Sequence, residues 1–206
     1  MVKNKIKKTV KKWKRYHKIS NVGPITRRYF VMNAFDGALT MLGVAIGAFL
    51  SGQKPIVIIS AGIAGSIAMG TSGMSGAYMT EKAERTRKLK KLERAMLTDM
   101  EDGLHDRSHR FATILASLVD GVSPAIAAMT VISPFFLANF GLISSQTAFI
   151  VCVIITLIVL TTLGTYLAKI SDESMIRYGL QMLLIGIITA FLCVGTTILL
   201  GGNITI

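Results

Sequence analysis

The sequence predicts an all-α integral membrane protein with five transmembrane helices, its N-terminus cytoplasmic and its C-terminus outside. Three observations predict it. Hydrophobic residues make up 51% of the 206, and the mean hydropathy is +0.56, values a soluble domain of this size rarely reaches. Five apolar runs are each long enough to cross ~30 Å of hydrocarbon at ~1.5 Å per helical residue. The charges fall between those runs: residues 1–28 hold 11 Lys/Arg and residues 79–110 hold 9. Basic loops beside apolar spans set topology and meet anionic head groups, so the formal charge of +12 does not argue for nucleic-acid binding.

Residues 1–28 form a basic cytoplasmic segment. Ile6, Val10, Trp13, Tyr16 and His17 recur there at helical spacing, as in a helix lying on a membrane surface. A basic region this long, followed by a full-length span, does not read as a cleavable signal. Gly23-Pro24 breaks the chain before the five-span membrane domain, residues 29–206. The expected spans are 29–50, 55–79, 111–134, 147–168 and 175–200. The third can continue through "PFFLAN", because Pro134 can kink a membrane helix without ending it.

Between spans two and three, residues 79–110 form a cytoplasmic extension. Glu81–Arg85 and Glu84–Lys88 are spaced four apart, acid first, which supports an exposed helix. No Gly or Pro separates this segment from span two, so one long helix is expected to continue to about residue 102 and end near Gly103. The N-terminus, this loop and "KISDESMIR" together hold 22 of the 23 Lys/Arg, and the opposite side has only Lys54. The positive-inside rule then fixes the orientation, and an odd number of spans agrees with it. Cys152 and Cys193 sit inside apolar runs and read as packed free thiols.

"FDGALT" in span one is echoed by "VDGVSP" in span three, and "SGAYMTEK" after span two by "LGTYLAK" after span four. Arg28 precedes Asp36 by eight residues and Arg110 precedes Asp120 by ten. Each unit would be a helix pair entering the membrane in the same direction: a parallel two-helix repeat, with the fifth helix added.

Asp36 and Asp120 are the acids inside the spans. A mid-bilayer Asp costs about 2.5–3.5 kcal/mol even on insertion scales, and no span interior holds a Lys or Arg. Such an acid is protonated, hydrated in a cavity or bound to a cation, and exchange between those states suits a site that trades a proton for a cation. Asn33, Asp36, Thr40, Gly43 and Gly47 share one stripe of the first helix. Thr113, Ser117, Asp120, Pro124 and Ala127 share one on the third, and Gly62, Ser66, Met69, Gly73 and Gly76 form a small-residue face on the second. Met69 lies on that face and Met74 about 120° away at ~100° per residue. A thioether beside carboxylates favours softer transition metals over Mg²⁺ or Ca²⁺. In "DMEDGLHDRSHR", Asp102, His105, Asp106 and His109 offer oxygen and imidazole ligands for capturing a metal at the cytoplasmic face, without a closed zinc spacing.

Five spans, a "DG" motif in the first, a Gly/Ala/Ser/Met-rich second span ending "GAYMT" and a charged helical extension after it resemble the vacuolar iron transporter family. More narrowly, they resemble a compact prokaryotic, archaeal member. The resemblance covers residues 28–206 and is most specific at "FDGALTMLGVAIGA" and "AGIAGSIAMGTSGMSGAYMT". It implies a homodimer in the cell membrane that exports cytosolic Fe²⁺ or Mn²⁺ in exchange for protons, with spans of both subunits forming the path. It also implies that the metal is cargo and that no cofactor is permanently bound. Asp36 matches the family's first-span aspartate, a metal ligand. Aligning on "GAY" puts the family's second-span methionine beside Met74, one residue off, whereas helix facing favours Met69. Ala77 stands where the family commonly has glutamate, and residues 79–110 are shorter and more basic than the family's glutamate-rich insert.

Two other functional classes fit parts of the sequence. A lipid-modifying membrane enzyme needs clustered catalytic groups at the membrane face. Only residues 99–110 offer any, with no nucleophile–base pairing or phosphate loop, so an enzyme is not expected. A structural or regulatory membrane protein would use the basic N-terminus and the long cytosolic helix as partner surfaces.

Overall fold

The computed structural model describes residues 20–97 and 103–201, with no side-chain placement for Leu104 and His105. Residues 1–19, where most of the expected surface helix falls, lie outside the described residues, as do Asp99, Glu101 and Asp102. Five helices follow in order: α1 (Gly23–Leu50), α2 (Pro55–Met96), α3 (Leu104–Asn139), α4 (Ser145–Ser171) and α5 (Met175–Leu199). All five are long and apolar enough to cross a membrane, and the chain is a multi-pass membrane protein.

The helix ends follow local chemistry. Asn21, at φ 45°, turns the chain, and α1 begins two residues later with Pro24 in its first turn, where a missing N–H costs nothing. The Gly-Pro pair thus opens the helix, which starts six residues before the expected span. Helix α2 passes from the apolar run into the charged extension without a break, but ends at Met96, short of the expected residue 102. Leu97 adopts φ 50°, a left-handed conformation that stops helix propagation. Helix α3 starts seven residues earlier than expected and runs through "PFFLAN" with Pro124 and Pro134 inside it. Pro134 has no N–H for the Thr130 carbonyl, and Ser133 Oγ donates to that carbonyl instead at 2.8 Å. Ser144 caps α4 by accepting from the Thr147 N–H. Asp172, at φ 54°, ends it with its own N–H bonded to the Ala168 carbonyl.

The described chain divides into two compact units, with boundaries inside α1, α2 and α3. The first holds residues 20–30 and Thr71–Val122. Its small core is Val22, Ala112 and Ala116, packed against by Ile25, Tyr29 and Leu115. From residue 71 to 97 of α2, the positions that are not exposed are Gly73, Ala77, Glu81, Arg85, Leu89 and Glu93, one every four residues. Such a row is a packing ridge along one helix face. It carries two acids and an arginine because this part of the helix lies beyond the apolar run.

The second unit holds Val31–Gly70 and residues 123–201. Its core packs Ala34, Ala38, Met41 and Ala45 of α1 with Ile58 and Ile59 of α2, Val131, Ile132 and Phe135 of α3, and Cys152 and Leu160 of α4. Small residues set the spacing: a Cβ on Gly62 would stand 2.6 Å from Ile132 Cδ1, and one on Gly164 would stand 2.7 Å from the Tyr178 carbonyl oxygen. Phe49 and Phe149 stack with centroids 4.2 Å apart. Cys152 is buried and Cys193 half-buried, both free thiols.

Candidate functional site

In the second unit, Asp36 lies about 20 Å along α1 from Gly23 at ~1.5 Å per residue, near the middle of a 28-residue helix. Asn33 is half-buried, while Asp36 and Thr40 are exposed on the isolated chain. The stripe then closes: Gly43 and Gly47 lie half-buried against α5, with Cβ positions 3.4 Å from Cys193 Sγ and 3.9 Å from Thr197 Oγ1. One turn on either side of the carboxylate thus carries an amide and a hydroxyl, on a face left open at the acid and packed beyond it. Ala61, Ala64 and Ala68 of α2 are also exposed, a small-residue row of the kind that lets a second helix approach. Gly37 holds α1 close to α3: a Cβ there would stand 2.7 Å from Pro124 Cα and 2.9 Å from its carbonyl carbon. Met69 is half-buried and packs against the core of this unit.

Asp120 and Met74 belong to the first unit. Met74 is 37% exposed. Asp120 is 8% exposed and sits beside Gly73, where a Cβ would stand 2.8 Å from Asp120 Oδ2 and 3.4 Å from its carbonyl oxygen. That carbonyl lies four residues before Pro124, which has no N–H to give it. The α3 stripe is buried throughout, with Thr113, Ser117 and Asp120 in this unit. Thr113 Oγ1 donates to the His109 carbonyl at 3.1 Å and Ser117 Oγ to the Ile114 carbonyl at 3.0 Å. Their lone pairs remain available as acceptors for a ligand's protons or as oxygen donors to a cation.

Sequence reasoning missed a polar chain in the same unit. Tyr29 Oη donates to Glu81 Oε1 at 3.0 Å, and Arg85 Nε donates to Glu81 Oε2 at 3.0 Å. The Glu81–Arg85 side chains are 11% and 8% exposed, so this pair is not on an exposed helix face as its spacing suggested. Glu84–Lys88, at 3.4 Å, is exposed as expected. The four-residue row continuing from Gly73 through Ala77 was the signal that could have found it.

Asp106 and His109, expected to capture metal, line a cavity of about 610 Å³ in this unit. Arg110 Nη2 lies 2.9 Å from Asp106 Oδ2, an ion pair by distance whose angle falls outside a hydrogen bond. Lys82, Arg85, Lys90 and Arg110 share that lining, against the acids Glu93 and Asp106. A divalent cation there would meet a positive excess. Among the described residues no three His, Cys, Asp or Glu side chains converge as metal ligands. The side chain of His105 lies outside the described residues, as does Asp102.

Known proteins align with this chain over most of its length. A protein of Methanocaldococcus jannaschii named only as uncharacterised is 36% identical over 171 residues, covering 81% of this chain and 85% of that one. The VIT family model matches residues 86–198, more than half of the chain, a stretch that includes Asp120 and excludes Asp36. With five candidate spans and these two matches, the chain belongs to the VIT family of membrane metal transporters, the family its sequence resembles.

Proposed function

We propose that the protein exports Fe²⁺ or Mn²⁺ from the cytoplasm in exchange for protons, with Asp36 as the group that alternates between the two. The observation that carries this reading is Asp36 itself: the sole acid of α1, at mid-helix, flanked one turn away by Asn33 and Thr40, on a face left open. A carboxylate in apolar surroundings is costly to keep charged and uncompensated. Binding M²⁺ compensates the charge, and protonation removes it. The empty carboxylate is the state to be avoided, so metal release and proton uptake are coupled at one side chain. The Asn33 amide oxygen and Thr40 hydroxyl supply further oxygen ligands. The Met69 or Met74 thioether biases the set toward transition metals over Mg²⁺. Asp120 assists with its carboxylate.

The orientation follows the charge bias, N-terminus in the cytoplasm, so α1 and α3 both enter from the basic side and the parallel repeat is consistent with it. A homodimer is supported by the exposure of Asp36, Thr40 and the Ala61–Ala64–Ala68 row. A second copy laid on these faces would cover the acid and complete its coordination. The test is proton movement in proteoliposomes driven by a Mn²⁺ or Fe²⁺ gradient. Lumenal alkalinisation that scales with metal uptake supports antiport, and lumenal acidification rejects it. Metal uptake with no accompanying proton movement rejects the coupling, and no uptake of either ion rejects transport.

A further inference from the structure

The cavity of the first unit is lined by one stripe of α2, from Tyr78 to Glu93, and one of α3, from Asp106 to Ile114. Tyr78 falls at the end of the second apolar run, and the α2 lining beyond it lies in the basic extension. Its volume falls in the ~300–1,000 Å³ range of small-ligand sites. Four cations and two acids line it, and Asp106 is already engaged with Arg110.

Arg85 is the informative residue. It is 7% exposed, and its Nε is used on Glu81. Its Nη2 is buried with no hydrogen-bond partner among the described residues. A guanidinium presents five donors in a planar fork matched to phosphate or carboxylate oxygens. A buried ionic donor left unsatisfied is costly, so a cavity lined by one is short of an acceptor. Lys82 and Lys90, both exposed, add point charges at its rim.

We infer that this cavity binds a phosphate-bearing anion, with Arg85 as the central ligand and Lys82 and Lys90 steering it in. The proposal does not depend on the transport reading. A phosphodiester of an anionic lipid and free inorganic phosphate present the same chemistry, and the position of the cavity suits either.

The test uses the full chain, delipidated in detergent. Phosphatidylglycerol and phosphatidylcholine are titrated and followed by native mass spectrometry, and inorganic phosphate is titrated by calorimetry. Three variants are compared: Arg85→Gln, Lys82→Gln/Lys90→Gln at the rim, and Lys91→Gln/Arg94→Gln, which removes the same charge from exposed positions off the cavity lining. Saturable binding of phosphatidylglycerol over phosphatidylcholine, weakened about ten-fold by the cavity variants and little by the control, identifies a lipid head group. The same pattern with inorganic phosphate identifies the free ion. If Arg85→Gln fails to fold, the rim pair decides. Binding of neither probe, or equal weakening by the control pair, overturns the proposal.

Discussion

Replacing Gly37 by alanine tests the packing that holds Asp36 in place. The added Cβ would stand 2.7 Å from Pro124 Cα and 2.9 Å from its carbonyl carbon, where ordinary contact begins at 3.4 Å. Those atoms are backbone, and the Pro124 carbonyl oxygen is nearer still, so no rotamer change can relieve the clash, and α1 and α3 must separate by about 1 Å at the crossing. Overpacking of this kind costs about 1–3 kcal/mol. The substitution also gains up to ~1 kcal/mol of helix propensity, which obscures the cost when Gly37→Ala is measured alone. Gly195→Ala supplies the correction: Gly195 lies within α5 with nothing within 4 Å of its Cβ position, so it reports the propensity term alone. The stability gap between the two variants should therefore be about 1–3 kcal/mol, Gly37→Ala the lower. Unfolding midpoints in a single detergent, followed by circular dichroism, measure it. If the two variants unfold together, the close approach of α1 to Pro124 is wrong, and so is the account of what positions Asp36.

Three further outcomes are expected. Gly73→Ala brings a Cβ to 2.8 Å from Asp120 Oδ2, a side-chain atom that can swing away. The fold should survive while metal uptake falls, and unchanged uptake would place Asp120 outside the path. Tyr29→Phe removes the 3.0 Å donor to the nearly buried Glu81 and should lower stability by about 1–2 kcal/mol in the same unfolding assay. A midpoint equal to wild type would show that Glu81 needs no donor there. Met69→Ala should shift selectivity from Mn²⁺ or Fe²⁺ toward Mg²⁺ in competition uptake if Met69 is the thioether ligand. A shift seen only in Met74→Ala assigns the role to Met74, and none in either removes sulfur from the site.

Five apolar runs with basic punctuation were enough to read the helix count, because membrane length and charge bias act directly on sequence. The passage through Pro134 was legible too, since a proline can kink a membrane helix without ending it; the structure adds that Ser133 serves the carbonyl it orphans. Helix ends were less legible: Leu97 stops α2 by adopting φ 50°, and nothing in a leucine announces that conformation. Spacing gave the stripes carrying Asp36 and Asp120 but not their contrast, one exposed and one 8% exposed, because tertiary partners decide burial. The Tyr29–Glu81–Arg85 chain was hidden for the same reason. A Glu–Arg pair four apart reads as a solvated face until a second helix covers it.

The central claim is that one carboxylate on α1 exchanges metal for protons. It is tested most directly by Asp36→Asn in proteoliposomes carrying a pH dye, with Mn²⁺ uptake and internal pH recorded together. The amide is nearly isosteric but cannot take up and release a proton at neutral pH. The account predicts that folded Asp36→Asn loses both metal uptake and the linked proton movement. Wild-type levels of both would contradict it.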